Sequence, residues 1–205
     1  MSVITKVRAS DYVIWLDRVQ YTKGGYTNRN YLPNGAWLTV PLLKHQTFRL
    51  ISDVQIGSPQ KTNWREAMCQ HIKLAWGSGD LVTEVCQEIL RPRGLLVGFN
   101  FALLEIVMRE LASAVKQERQ STLDCGEAVV AESDDPAELL PISDRLAMMV
   151  AELGGDVYLS GKSGQNYLNE EPFKERGIAV EYWHHEGHNP CVLDVLSRMQ
   201  EVATP

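Results

Sequence analysis

No run of apolar residues in this chain approaches the roughly 20 needed to cross a bilayer. Residues 1–10 carry Lys6 and Arg8 but no apolar stretch, so they do not read as a secretory signal. Cysteine is sparse: Cys69, Cys86, Cys125 and Cys191 are scattered, with no C-x-x-C pair. That excludes a disulfide framework and points to reduced thiols. Basic residues are not in excess, because the formal net charge is −6. An acidic chain does not bind nucleic acid through net charge alone, although a local basic patch is compatible with it. No internal repeat or low-complexity tract is present. These absences lead us to expect a cytoplasmic protein with no membrane partner, from a bacterium or from a cell infected by a phage.

What is present suits one ordinary globular domain. Hydrophobic residues make up 44% and charged residues 22% of 205 residues, enough to bury a core without covalent staples. The expectation is a single α/β domain over 1–205. Its sheet is mixed or parallel, with a β region first, a helical middle, and a strand–helix–strand unit followed by a helix at the end.

Tyr12 to Leu16 is β-branched and aromatic and reads as a buried strand. A polar stretch with turn residues follows, then Pro33-Asn34-Gly35 as a strong turn. Trp37–Leu42 and Phe48–Ile56 read as further strands. Asn63 is placed to cap a helix over Trp64–Trp76, ended by Gly77-Ser78-Gly79, and Asp80 to cap another, ended before Pro92. A longer helix begins near Gly98 or Asn100, with an apolar stripe of Phe101, Leu104, Met108, Leu111 and Val115. Residues 118–141 are polar and read as a flexible connection with room for one short strand. Ser143 is placed to cap a helix ended by Gly154-Gly155. Strands at Val157–Leu159 and Ile178–Tyr182 flank short helical turns, a right-handed parallel βαβ unit. Asn189-Pro190 opens a final helix.

Three ordered motifs then carry a resemblance. Leu16-Asp17-Arg18-Val19-Gln20-Tyr21-Thr22-Lys23, Asn28-Arg29-Asn30 and Trp37-Leu38-Thr39-Val40-Pro41 resemble the L-D-x-V-Q-[FY]-x-K, N-R-N and W-L-T-V-P series of the WbqC-like family. Tyr158-Leu159-Ser160-Gly161 with Gly164 and Tyr167, and Leu193-Asp194-Val195-Leu196, look like its later blocks. Family members usually open on a His-Gln-Pro-x-Tyr-x-Pro-Trp segment, and nothing like it precedes Ser10-Asp11 here. His184-His185-Glu186-Gly187-His188 stands where a Tyr-Pro-rich stretch is common. The resemblance implies a transferase-like role on a nucleotide-activated substrate, with an amino-acid or acyl group moved in surface-polysaccharide amino-sugar biosynthesis. It implies two alternatives: a phage enzyme attaching amino acids to an activated hydroxymethyl pyrimidine in DNA, and a non-catalytic nucleotide-sugar binding protein.

Candidate site residues follow. Lys23 and Arg29 suit phosphate, Lys as a point charge and Arg as a planar fork. Asp17 suits a general base, and Gln20, Asn28 and Asn30 have the donors and acceptors to read a base or sugar. On composition alone the same stretch is a polar hairpin; the family match favours a site. Gly161-Lys162-Ser163-Gly164 follows a strand and offers backbone N–H groups and one cation to an anion, with Ser160 and Tyr167 alongside. Its spacing is neither that of a P-loop nor that of a dinucleotide fingerprint, and such a turn is more often only a turn. His184, His185, His188 and Cys191 are zinc-ligand types, but adjacent strand residues face opposite ways. His188 acting singly as a base is the better reading. Asp194 falls in the first turn of a helix, where a carboxylate is favoured anyway, and the family match makes it a weak substrate-binding candidate. Trp15, Trp37 and Trp64 are read as core, and Trp183 as the aromatic to test for stacking. No cofactor is expected, and the sequence leaves a divalent metal open.

Overall fold

The structure, a computed structural model, describes residues 3–57, 63–111, 115–123 and 141–183. By its internal contacts the chain divides into two compact units. One comprises described residues 3–18, 115–123 and 141–183, the other 19–57 and 63–111. The chain is mixed α/β, with helices α1 (Val3–Arg8), α2 (Trp64–Trp76), α3 (Asp80–Leu90), α4 (Leu96–Leu111), α5 (Ile142–Glu152) and α6 (Glu171–Lys174). Its strands are β1 (Tyr12–Trp15), β2 (Arg29–Tyr31), β3 (Trp37–Thr39), β4 (Lys116–Arg119), β5 (Val157–Gly161) and β6 (Ala179–Trp183).

In the first unit β5 pairs with β6 in parallel, from Val157 opposite Ala179 to Gly161 opposite Trp183. This is the expected βαβ unit. Between the strands, Phe173 of α6 is fully buried and stacks on Tyr158 with centroids 5.0 Å apart. Leu146, Ala147, Met149 and Val150 of α5 join Leu123, Phe173 and Ile178 in one core, with Ile14, Tyr158 and Val180 packed against it. Each of these side chains larger than alanine contributes about 1.5–3 kcal/mol on burial. β1 pairs in parallel with β4, Tyr12 opposite Lys116. The residues of β1 are only half-buried.

The second unit holds a helical layer and a small hairpin. Leu81, Val82, Val85, Cys86 and Ile89 form the buried face of α3, which contacts α2 through Met68, Cys69 and Ile72. Leu96, Val97 and Phe99 of α4 complete this core, and Trp64 meets Phe99 edge-on at 5.9 Å. β2 and β3 are antiparallel around the Pro33-Asn34-Gly35 turn, with Tyr31 opposite Trp37.

Several expectations are corrected. Phe48–Ile56 is not a strand: isolated bridges join Gln20 to Leu50, Leu42 to Ile56 and Gln55 to Leu95, around a 3-10 turn at Ile51–Asp53. Backbone at positive φ at His45 and Phe48 breaks any strand there. Residues 118–123 form the end of β4 and a 3-10 turn with Gln120 fully buried, so that part of the expected connection is structured. Ser143 does not cap α5; it is buried, and its hydroxyl accepts the Asn169 N–H at 2.9 Å. Helix α4 begins at Leu96, ahead of Gly98, and Val115 lies beyond it. Trp37 is 47% exposed, not core. The final helix from Asn189-Pro190, the histidine cluster including His188, and Asp194 lie outside the described residues.

Candidate functional site

A cleft of about 520 Å³ opens in the second unit. Its lining comes from two stretches of chain, residues 21–29 and 39–47, and the second divides into 39–41 and 42–47 to give three pieces of wall. Lys23, Arg29 and Lys44 supply cationic side chains, His45 an imidazole, and no Asp or Glu lines it. Cations without a neighbouring carboxylate raise the local concentration of anions.

Each wall is fixed by identifiable bonds. Asn28 ties the first piece to the second: its backbone carbonyl accepts the Val40 N–H at 2.8 Å and its side-chain amide donates to the Val40 carbonyl at 3.0 Å. The buried Tyr21 hydroxyl donates to Asn28 Oδ1 at 2.9 Å. Burial pushes that hydroxyl up from its ordinary value, and nearby Arg29 offsets part of the rise. Arg29 closes the turn ahead of it, donating through Nε to the Gly25 carbonyl at 3.2 Å and through Nη2 to the Gly24 carbonyl. Gly24 has φ +95°, a conformation that costs glycine little and other residues more. The Arg29 guanidinium also lies 4.2 Å above the Trp37 ring. Arg29 therefore shapes the cleft wall as well as charging it.

The third piece carries backbone strain. His45 has φ +60° and Phe48 φ +71°, and such conformations cost about 1–3 kcal/mol each. Gln46, 6% exposed, holds the segment between them. Its Nε2 donates to the Lys44 carbonyl at 3.1 Å and its Oε1 accepts the Gln55 N–H at 2.8 Å. Further bonds run from Leu43 N–H to the Gln55 carbonyl (3.0 Å) and from Tyr21 N–H to the Arg49 carbonyl (2.7 Å). Lys44 and His45 are thus carried on a constrained turn.

Of the candidates read from sequence, Lys23, Asn28 and Arg29 meet in this cleft. Gln20 and Asn30 belong to the same unit but not to its lining. Gln20 is exposed and bridges Leu50, and Asn30 Oδ1 accepts the Tyr31 N–H. Asp17 belongs to the other unit. It is 3% exposed, and its oxygens accept the Ser121 N–H at 3.0 Å and the Ser121 hydroxyl at 2.5 Å. That is the geometry of a buried anchor. Sequence reasoning missed Lys44, His45 and Gln46, although the polar Lys-His-Gln-Thr run two residues after W-L-T-V-P was visible.

Ser160, Gly161, Lys162, Gly164 and Tyr167 stand at the carboxyl end of β5 in the first unit. Carboxyl ends of parallel strands are where ligands bind in α/β sheets. Lys162 and Tyr167 are exposed and Ser160 is buried. A Cβ on Gly164 would lie 2.1 Å from Ser160 Oγ, so the close turn requires glycine. The Tyr182 hydroxyl donates to Glu170 at 2.9 Å beside it. Trp183 is half-buried. Among the described residues no group of three or more His, Cys, Asp or Glu side chains is placed to hold a metal ion. Among the same residues no helix is long and apolar enough to cross a membrane.

A mixed α/β protein with a cationic cleft lined by Tyr21 and Lys23 and by parts of the N-R-N and W-L-T-V-P segments is what fold and site define. The model of the WbqC-like protein family matches residues 3–191, and the chain belongs to that family. It is similar to the uncharacterized protein Rv1507c of Mycobacterium tuberculosis (strain ATCC 25618 / H37Rv), 24% identical over 182 residues that span 87% of this chain and 74% of that protein. No solved structure matches the chain.

Proposed function

We propose that this WbqC-like protein is a transferase that holds a nucleotide-activated substrate by its phosphates in the cleft of residues 21–47. The observation that carries the reading is the lining itself: Lys23, Arg29, Lys44 and His45 with no carboxylate among them. Phosphates gain most from fixed cations that need no rearrangement on binding. His45 adds an imidazole to the lining, a group that can both donate and accept a hydrogen bond. Asp17 takes no part in this reading, since its carboxylate holds Ser121.

The transferred group, an amino-acid or acyl moiety, and the setting in surface-polysaccharide amino-sugar synthesis rest on the family resemblance. A cytoplasmic location accords with the free, buried thiols of Cys69 and Cys86. The test is incubation with nucleotide-linked amino sugars and acyl or amino-acid donors, with products read by mass spectrometry. A transfer product that disappears in Lys23→Ala and Lys44→Ala, both exposed positions, is the expected result. Equal turnover in both variants would remove the cleft from the reaction.

A further inference from the structure

Next to the cleft, three aromatic side chains stand together on the β2–β3 hairpin and its approach. Tyr31 meets Trp37 edge-on at 5.2 Å, and Tyr26 lies 5.9 Å from Trp37 and 6.0 Å from Tyr31. The cross-strand pair of Tyr31 and Trp37 accounts for part of this cluster, because such pairs stabilise hairpins. It does not account for the exposure: Tyr26 is 66%, Trp37 47% and Tyr31 40% exposed. Three large rings left this open cost apolar surface that a hairpin has no need to display.

Arg29 makes the cluster and the cleft continuous. It lines the cleft, and its guanidinium lies over the Trp37 ring. Hydrogen bonds to Gly24 and Gly25 fix its orientation. A ligand held at Lys23 and Lys44 by negative charge would therefore find aromatic faces directly beyond Arg29. The chemistry that matches is an anionic group joined to a planar ring.

We infer that Tyr26, Tyr31 and Trp37 form a stacking platform for the nucleobase of a nucleoside diphosphate whose phosphates occupy the cleft. The inference rests on the proposed phosphate role of the cleft and adds a base subsite to it. Every base has a π-face, so a platform without a hydrogen-bonding edge tolerates different bases.

Calorimetric titration of the full chain tests this with inorganic pyrophosphate, a panel of nucleoside diphosphates and oligothymidylate. Nucleoside diphosphates should bind roughly five- to a hundredfold more tightly than pyrophosphate, the contribution of stacking one base. Tyr26→Ala should lose that advantage and keep the pyrophosphate affinity; Trp37→Ala should lose it too, with some loss of pyrophosphate affinity because Arg29 rests on that ring, while Trp37→Phe retains most of it. Tyr26 is the most exposed of the three, so its variant stays informative if Trp37→Ala disturbs the hairpin. Equal affinity for pyrophosphate and nucleoside diphosphates overturns the platform and leaves the phosphate cleft standing. No binding of either overturns both. Binding of oligothymidylate without binding of any mononucleotide overturns the assignment to a mononucleotide in favour of a strand.

Discussion

The side chain of Gln46 accepts the Gln55 backbone N–H at 2.8 Å while donating to the Lys44 carbonyl, and so holds the cleft's third wall across His45. Gln46→Leu removes both bonds from a buried position. A loss of about 1–3 kcal/mol in urea unfolding is expected, each bond contributing on the order of 1 kcal/mol. Pyrophosphate affinity should fall as well, although Lys23, Arg29 and Lys44 remain. Unaltered affinity in a destabilised variant would show that the His45 turn does not present Lys44 to the ligand.

Much of the fold was legible where a local rule and the tertiary structure agree. Helices α2 and α3 and the β5–β6 pair lie where apolar periodicity and the glycine and proline stops put them, because burial there follows the local pattern. Phe48–Ile56 misled because its apolar spacing suits a strand. The backbone there is set by distant bonds, such as Ile51 N–H to the Val19 carbonyl, that no local window contains. The polar Lys-Gln-Glu-Arg of β4 has a low strand preference and forms by pairing with β1. Trp37 was read as core from its type alone, and only the hairpin shows that it stands at the surface. Of the site, Lys23, Asn28 and Arg29 were found through motif order. His45 was missed because its place in the cleft depends on a positive φ and on Gln46.

Arg29→Lys keeps the charge but cannot reproduce a planar fork that bonds Gly24 and Gly25 while stacking on Trp37. Thermal unfolding should show a loss of about 2–4 kcal/mol, the sum of a cation–π contact and one charged hydrogen bond. Phosphate affinity should fall further than in Lys23→Ala, because the wall shifts as well as its charge. Arg29→Lys with the stability and affinity of the native protein would show that charge alone is required.

At Gly164 the added methyl of Gly164→Ala would meet Ser160 Oγ at 2.1 Å and Leu168 Cδ1 at 3.0 Å. Overpacking of this kind costs about 1–3 kcal/mol. Ser160→Ala removes the nearest atom, so the double variant Ser160→Ala, Gly164→Ala should recover part of the loss. A double-mutant cycle by chemical denaturation reads that coupling directly. Simple additivity would mean that the β5 turn yields elsewhere, and that the close approach of Ser160 is not what requires glycine.

Tyr158 should give the first unit a pH dependence whose sign follows from its burial. Burial, and then the neighbouring Tyr167, push its hydroxyl from an ordinary 10.0 up to about 12, with Ser160 pulling slightly the other way. The folded state thus holds this proton more tightly than the unfolded chain. Below pH 10 both states are protonated and the contribution is constant. As the pH rises from 10 towards 12 only the unfolded chain loses the proton, and stability falls by up to about 1.4 kcal/mol per pH unit. Cys69, raised to about 12 by burial and by Cys86, acts in the same direction but is common to native protein and variant. In Tyr158→Phe the ring remains on Phe173 and no proton is left to lose. The difference in unfolding free energy between native protein and Tyr158→Phe should be flat up to pH 10 and then shift steadily in favour of the variant. A difference that stays flat to pH 12 would mean that the Tyr158 hydroxyl reaches water in the folded state.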